Sequence, residues 1–193
     1  MLSEVIEYLN VQLADTGYIN DVLCLAERIE REGKIYPAIY NNKNEYISIN
    51  LDPNGSLSYW RKNGDVNISE EDNQTLSCGI QYKTTIPLKL IGFVKKENAH
   101  NTSTFSDTMC QNLIAVLTTN SAVLKGVLKA KKATLIASGY STDVKKILGE
   151  EYDNIDFEVR YSHAYFSIDF NLVVITNSNC YQNFCDQIYT IGE

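Results

Sequence analysis

The chain has 193 residues, one domain's length, with 44% hydrophobic and 21% charged residues, so it can bury a core without a disulfide or metal. A net charge of −7 and a pI of about 4.9 argue against nucleic-acid binding by phosphate neutralisation, which needs clustered Lys and Arg. Only 3 prolines occur, which excludes a Pro-rich linker, and no apolar run approaches the roughly 20 residues that span a bilayer.

Leu2, Val5, Ile6, Leu9 and Leu13 follow helical spacing and predict an N-terminal amphipathic helix ended by Gly17. Acidic Glu4 and Glu7 stand where a signal peptide would carry positive charge, so the chain is expected to be cytosolic when made. Short β-rich runs follow: Val22 to Ala26, Lys34 to Tyr40, and Tyr46 to Ile49. Turn signals separate them at Asn41 to Asn44 and at Asp52-Pro53-Asn54-Gly55. Ser58-Tyr59-Trp60-Arg61 runs into Asn63-Gly64, a two-residue hairpin signal, and Val66 and Ile68 return beyond it. Ser69 to Gln74 reads as an exposed acidic loop, and residues 22 to 96 together read as a β-meander.

The last strand of that region places Tyr82, Thr84, Ile86, Leu88 and Leu90 on one face and Lys83, Thr85, Pro87, Lys89 and Ile91 on the other. Pro87 predicts an edge or a bulge. A polar loop from Lys95 to Ser103 leads to a helix over Thr104 to Asn120, with Thr104 as N-cap and Phe105, Met109, Leu113, Val116 and Leu117 as its stripe. Helical turns follow around Val123 to Leu128, then a short strand over 133 to 137. Ser141-Thr142-Asp143 caps a short helix carrying Val144, Ile147 and Leu148, ended by Gly149. The strand Ala164 to Val174 alternates most cleanly, with Ala164, Phe166, Ile168, Phe170, Leu172 and Val174 on one face. The order predicts an α+β domain over residues 1–176, a mostly antiparallel sheet with two or three helices packed on one face, and a polar tail over 177–193.

The search for chemistry finds no assembled site. His100 reads as a surface residue and His163 as a structural one at the start of the last strand. The 5 cysteines, Cys24, Cys78, Cys110, Cys180 and Cys185, contain no Cys-x-x-Cys pair, so neither a zinc ribbon nor a redox dithiol is indicated. There is no Gly-x-Ser-x-Gly elbow, no phosphate-cradling glycine loop and no calcium-loop order. The acidic groups Glu70-Glu71-Asp72 and Glu150-Glu151-Asp153 read as solvated loops, and the pairs Lys95-Lys96, Lys131-Lys132 and Lys145-Lys146 as solvated surface or a contact to an acidic partner. Catalytic, cofactor and metal residues are therefore none. The 13 tyrosines fit either a protein interface or a compositional bias shared with Asn, Ile and Lys.

Four coarse features carry a resemblance: the helix Leu2 to Leu13, the meander with a loop from Asn63-Gly64 to Gln74, the helix Thr104 to Asn120 after a strand ending Leu88-Lys89-Leu90-Ile91-Gly92-Phe93, and the closing strand Ala164 to Val174. In this order the chain resembles the small tail-terminator, tail-completion and neck (head–tail connector) proteins of double-stranded DNA phages. The resemblance implies a structural virion protein made in the host cytoplasm, without enzymatic activity. It implies a homo-oligomeric ring of roughly five to twelve copies that binds other neck or tail proteins, without sequence-specific nucleic-acid contacts and without a membrane. Contacts are expected in the Gly55 to Gln74 hairpin and on the polar face of the last strand, at Tyr59, Trp60, Arg61, Lys62, Asn63, Tyr165 and Asp169. The competing readings are a capping or immunity-type binding module and a small enzyme with a dispersed site.

Overall fold

A computed structural model describes residues 2–40, 45–49, 55–71, 81–95, 102–119, 121–152 and 163–177. The turns expected at 41–44 and 52–54, His100, Cys78, Cys180, Cys185 and nearly all of the expected tail lie outside them. The described elements are α1 (Leu2–Asp15), β1 (Asp21–Arg31), β2 (Lys34–Tyr40), β3 (Tyr46–Ser48), β4 (Leu57–Lys62), β5 (Asn67–Glu71), β6 (Gln81–Lys95), α2 (Thr102–Thr118), α3 (Ser121–Val127), β7 (Lys132–Ser141), α4 (Val144–Glu151) and β8 (His163–Asn177). The class is α+β. One mostly antiparallel sheet runs β3-β2-β1-β4-β6-β8-β7, and β5 pairs beside β4 on the same side of β6.

The simple meander is corrected. β1 and β2 form a tight hairpin through Glu32 and Gly33, both at positive φ, as a two-residue turn of matching twist requires. β4 then lies parallel to β1, with Asp21 opposite Leu57. The Asn63-Gly64 signal is not a hairpin either. β4 pairs with residues 88–93 of β6 and β5 with residues 81–85, so the chain continues in one direction along β6 across a short break.

Pro87 explains where that break falls. The Asn63 N–H donates to the Pro87 carbonyl at 3.0 Å. In an antiparallel strand a residue's N–H and C=O point to the same side, so the donor that proline lacks faces the β4–β5 gap. The ladder to β8 loses nothing and runs unbroken from Gln81↔Asn177 to Lys95↔His163.

Alternation divides the core between two sheet faces. On the first, Trp60, Leu88, Leu90, Leu135, Phe166, Ile168, Phe170 and Leu172 meet the stripes of α1 (Val5, Ile6, Leu9, Leu13), α2 (Met109, Leu113, Leu117) and α3 (Leu124). The Trp60 indole N–H donates to Asn10 Oδ1 at 2.9 Å, and Asn10 Nδ2 donates to the Leu23 carbonyl at 3.2 Å, so one α1 amide ties that helix to β4 and β1. Gly92 lies in the same layer between Ser58 and Phe166. A Cβ there would run into the Leu57 carbonyl oxygen and crowd both neighbours, which leaves glycine alone at that position.

On the second face Leu57, Tyr59, Ile91, Phe93 and Tyr165 pack under Ile147, Leu148 and Tyr152 at α4. Asp143 caps α4 through bonds from the Lys145 and Lys146 amides. The helix passes through Gly149 and ends at Glu151, two residues beyond the end expected from sequence. α2 likewise begins at Thr102, which puts Thr104 inside the helix instead of at its cap.

Candidate interaction surface

β4 alternates between the two faces, so adjacent residues of the expected contact set separate. Trp60 is 0% exposed and packs on Phe170 with ring centroids 5.8 Å apart. Tyr59 and Tyr165 are buried in the layer beneath α4, and Tyr165 lies against Phe93. These three are interior packing residues and offer no surface to a partner, which corrects their assignment as contacts. Lys62 and Asn63 are exposed. Arg61, Asn63 and Asp169 enter one polar network with Tyr59, Lys89 and the two acids expected in a solvated loop, Glu150 and Glu151.

That network crosses β4, β6, β8 and α4. Glu151 is buried, and Arg61 Nη1 stands 2.8 Å from its Oε1, an ion contact without hydrogen-bond alignment. The Tyr59 hydroxyl donates to Glu151 Oε2 at 3.2 Å. Arg61 Nη2 reaches Asn63 Oδ1 at 3.4 Å, and Asn63 Nδ2 donates to Asp169 Oδ1 at 2.9 Å. Lys89 Nζ closes the chain, 3.6 Å from Asp169 and 2.8 Å from Glu150.

The neighbouring carboxylates are pushed in opposite directions. Burial raises the pKa of Glu151, against the partial offset of Arg61 and Tyr59. The hydrogen bond from Lys89 lowers that of Glu150. Burial beside Glu151 raises Tyr59 well above the usual phenol range. Each described acid of the network meets a cation, and its geometry fastens α4 to the sheet. Cys110, in the core with its thiol pushed up to about 12 by burial, is held in the unreactive protonated form. Among the described residues no three or more His, Cys, Asp or Glu side chains gather as a metal would need. His163 is buried with its ring edge-on to Phe93, 5.5 Å between centroids.

Among the described residues, exposed large apolar groups lie singly on the helices at Val11 and Val123 and otherwise at the lateral edges of the sheet. Tyr40 and Tyr46 stack edge to face at the β2–β3 end, where Ile47 is also exposed, and Tyr46 donates to Glu27 at 2.8 Å. Val66 and Ile68 are exposed at β5, and Ile136 and Tyr140 on β7. Among the described residues three edge strands have no strand on their outer side, and they differ in protection against strand addition. β3 is 3 residues long, and β5 carries the exposed Glu70. β7 is 10 residues long and carries no charge after Lys132. Its ladder to β8 survives a register shift between Ala137 and Gly139, which is why it outruns the short strand expected from sequence.

Among the described residues no helix is long and apolar enough to cross a membrane. No protein-family model matches the chain, and no curated protein matches it.

Proposed function

We propose that the chain is a structural component of a tailed double-stranded DNA phage particle, a ring-forming protein of the head–tail junction or tail end that binds like copies side by side and neighbouring neck or tail proteins above and below. The observation that carries this reading is the sheet whose edges, among the described residues, are unlike: a long strand with no charge beyond Lys132 at one side and shorter strands at the other. A contact between unlike edges of identical chains is head-to-tail, and such contacts close into rings when the rotation permits. The pairing of the charged groups beside α4 supports a non-enzymatic role, since each described carboxylate of the network meets a cation. An acidic chain also suits a ring through which DNA passes without being gripped.

The test is the mass of the purified chain by light scattering, with negative-stain images. Closed rings of roughly five to twelve copies are expected. A chain that stays monomeric at high concentration and also with purified neck and tail proteins overturns the reading in favour of a capping module.

A further inference from the structure

The lower half of the sheet is a four-stranded strip, β5-β6-β8-β7, whose ladders align residues in rows. One row is Asn67, Thr85, Val173 and Thr134; the next is Ile68, Thr84, Val174 and Ala133; the next is Ser69, Lys83, Ile175 and Lys132. The strip therefore ends on β5 at one side and β7 at the other, at the same height. β5 and β7 also run in opposite directions, since β5 and β8 both oppose β6 and β7 opposes β8.

From this we infer that β7 of one copy adds antiparallel to β5 of a second copy, a contact that rests on the ring-forming reading and specifies its interface. Laying two strips side by side in the same orientation makes the new β7–β5 pair antiparallel, so the ladder continues without inverting either molecule. Carrying the rows across the junction sets Thr134 beside Asn67, Ala133 beside Ile68 and Lys132 beside Ser69 of the next copy. One step on, Lys131, whose amide still bonds to the Ile175 carbonyl, faces Glu70.

The charges agree with this match. Lys125, Lys129, Lys131 and Lys132 are all exposed in a stretch with no acid, an unusual concentration in a chain of net −7. Glu70 is exposed on the opposite edge. Opposite charges across a strand pair favour the pairing, and like charges oppose it. Ile68, 45% exposed on the β5 edge, lies beside Ala133 of the neighbouring β7 in this register. β3 is the weaker partner for β7, being 3 residues long against 5 for β5.

Two charge-reversed variants test the contact, Glu70→Lys and the double variant Lys131→Glu/Lys132→Glu, studied by light scattering alone and mixed. Each alone is expected to lose assembly at least ~10-fold in the concentration required, and circular dichroism checks that each stays folded. Mixing restores both junctions between unlike variants, since reversed β5 meets reversed β7 and the two unreversed edges keep the wild-type match, so the mixture regains assembly with the two variants alternating. Assembly by the wild type that persists in both variants, or that is lost on Glu45→Lys beside β3 and not on Glu70→Lys, overturns the β7–β5 contact while leaving the ring reading intact. A wild-type chain that never assembles removes both.

Discussion

The two faces of the sheet are built on different terms. The first is apolar from α1 to α3 and holds its main polar link, the Trp60–Asn10 hydrogen bond, at the helix seam. The second is apolar only beneath α4, then crosses the Arg61, Lys89, Glu150, Glu151 and Asp169 network, then turns to Thr85, Pro87, Asn171 and Val173 in the strip that ends on β5 and β7. The contrast teaches that stability rests on parts other than those the proposed contact would use. The first face holds the fold, the charged network fixes one helix, and the proposed contact lies at the strip's edges.

Substitutions on the first face should have the largest effect. Trp60→Ala removes a fully buried indole and should cost about 3–5 kcal/mol, read as a lower urea midpoint. A loss near that of an exposed residue would contradict the division. Glu151→Ala should come next, at roughly 3 kcal/mol, because it strands Arg61 where water reaches poorly. The pair Arg61→Met/Glu151→Leu should recover most of that loss. A double variant no better than the single one would show that the ion pair contributes more than its desolvation costs.

Smaller effects sharpen the account of α4. Asp143→Ala removes its N-cap and should cost about 1 kcal/mol. The pH dependence separates the two glutamates. Glu150 has a lowered pKa when folded, so its contribution is present above the ordinary carboxylate pKa and is lost as pH falls through the folded value. Glu151 has a raised one, so its contribution is present below the ordinary pKa and is lost as pH rises through the folded value. The two slopes oppose. Urea midpoints from roughly pH 3 to 7 should fall more steeply with acid in Glu151→Gln than in wild type, and less steeply in Glu150→Gln. Equal slopes in all three proteins would contradict the opposed shifts. The smallest effect on stability belongs to Ile68→Lys on the β5 edge, within about 0.5 kcal/mol, although it should weaken self-association by setting a cation near Lys131 of the next copy.

Much of this was legible in the sequence where a period was clean. α1, the two faces of β6 and the apolar face of β8 follow directly from residue spacing. The failures have physical causes. The parallel β1–β4 pair is long-range, and nothing local marks it. Asn63-Gly64 is a strong turn signal, yet β6 offers a continuous edge to both β4 and β5, so the chain runs on past it. Gly149 is tolerated inside α4 because the cap at Asp143 and the apolar residues Ile147 and Leu148 hold the helix. Once the helix is extended, Val144, Ile147, Leu148 and Glu151 share one face, a spacing that points Glu151 at the sheet. The same period-two rule that read β8 would have sent Trp60 inward to α1 and set Arg61 on the opposite face.

The most direct measurement is hydrogen exchange of the wild-type chain from dilute to concentrated solution. Among the described residues no strand pairs with the outer sides of β7 and β5, whose outward amides are bonded in the proposed junction. Their protection should rise with concentration, in step with the mass, while the β3 amides stay unchanged. Exchange at β7 and β5 that does not respond while the mass rises, or a rise confined to β3, would contradict the claim that these two unlike edges meet.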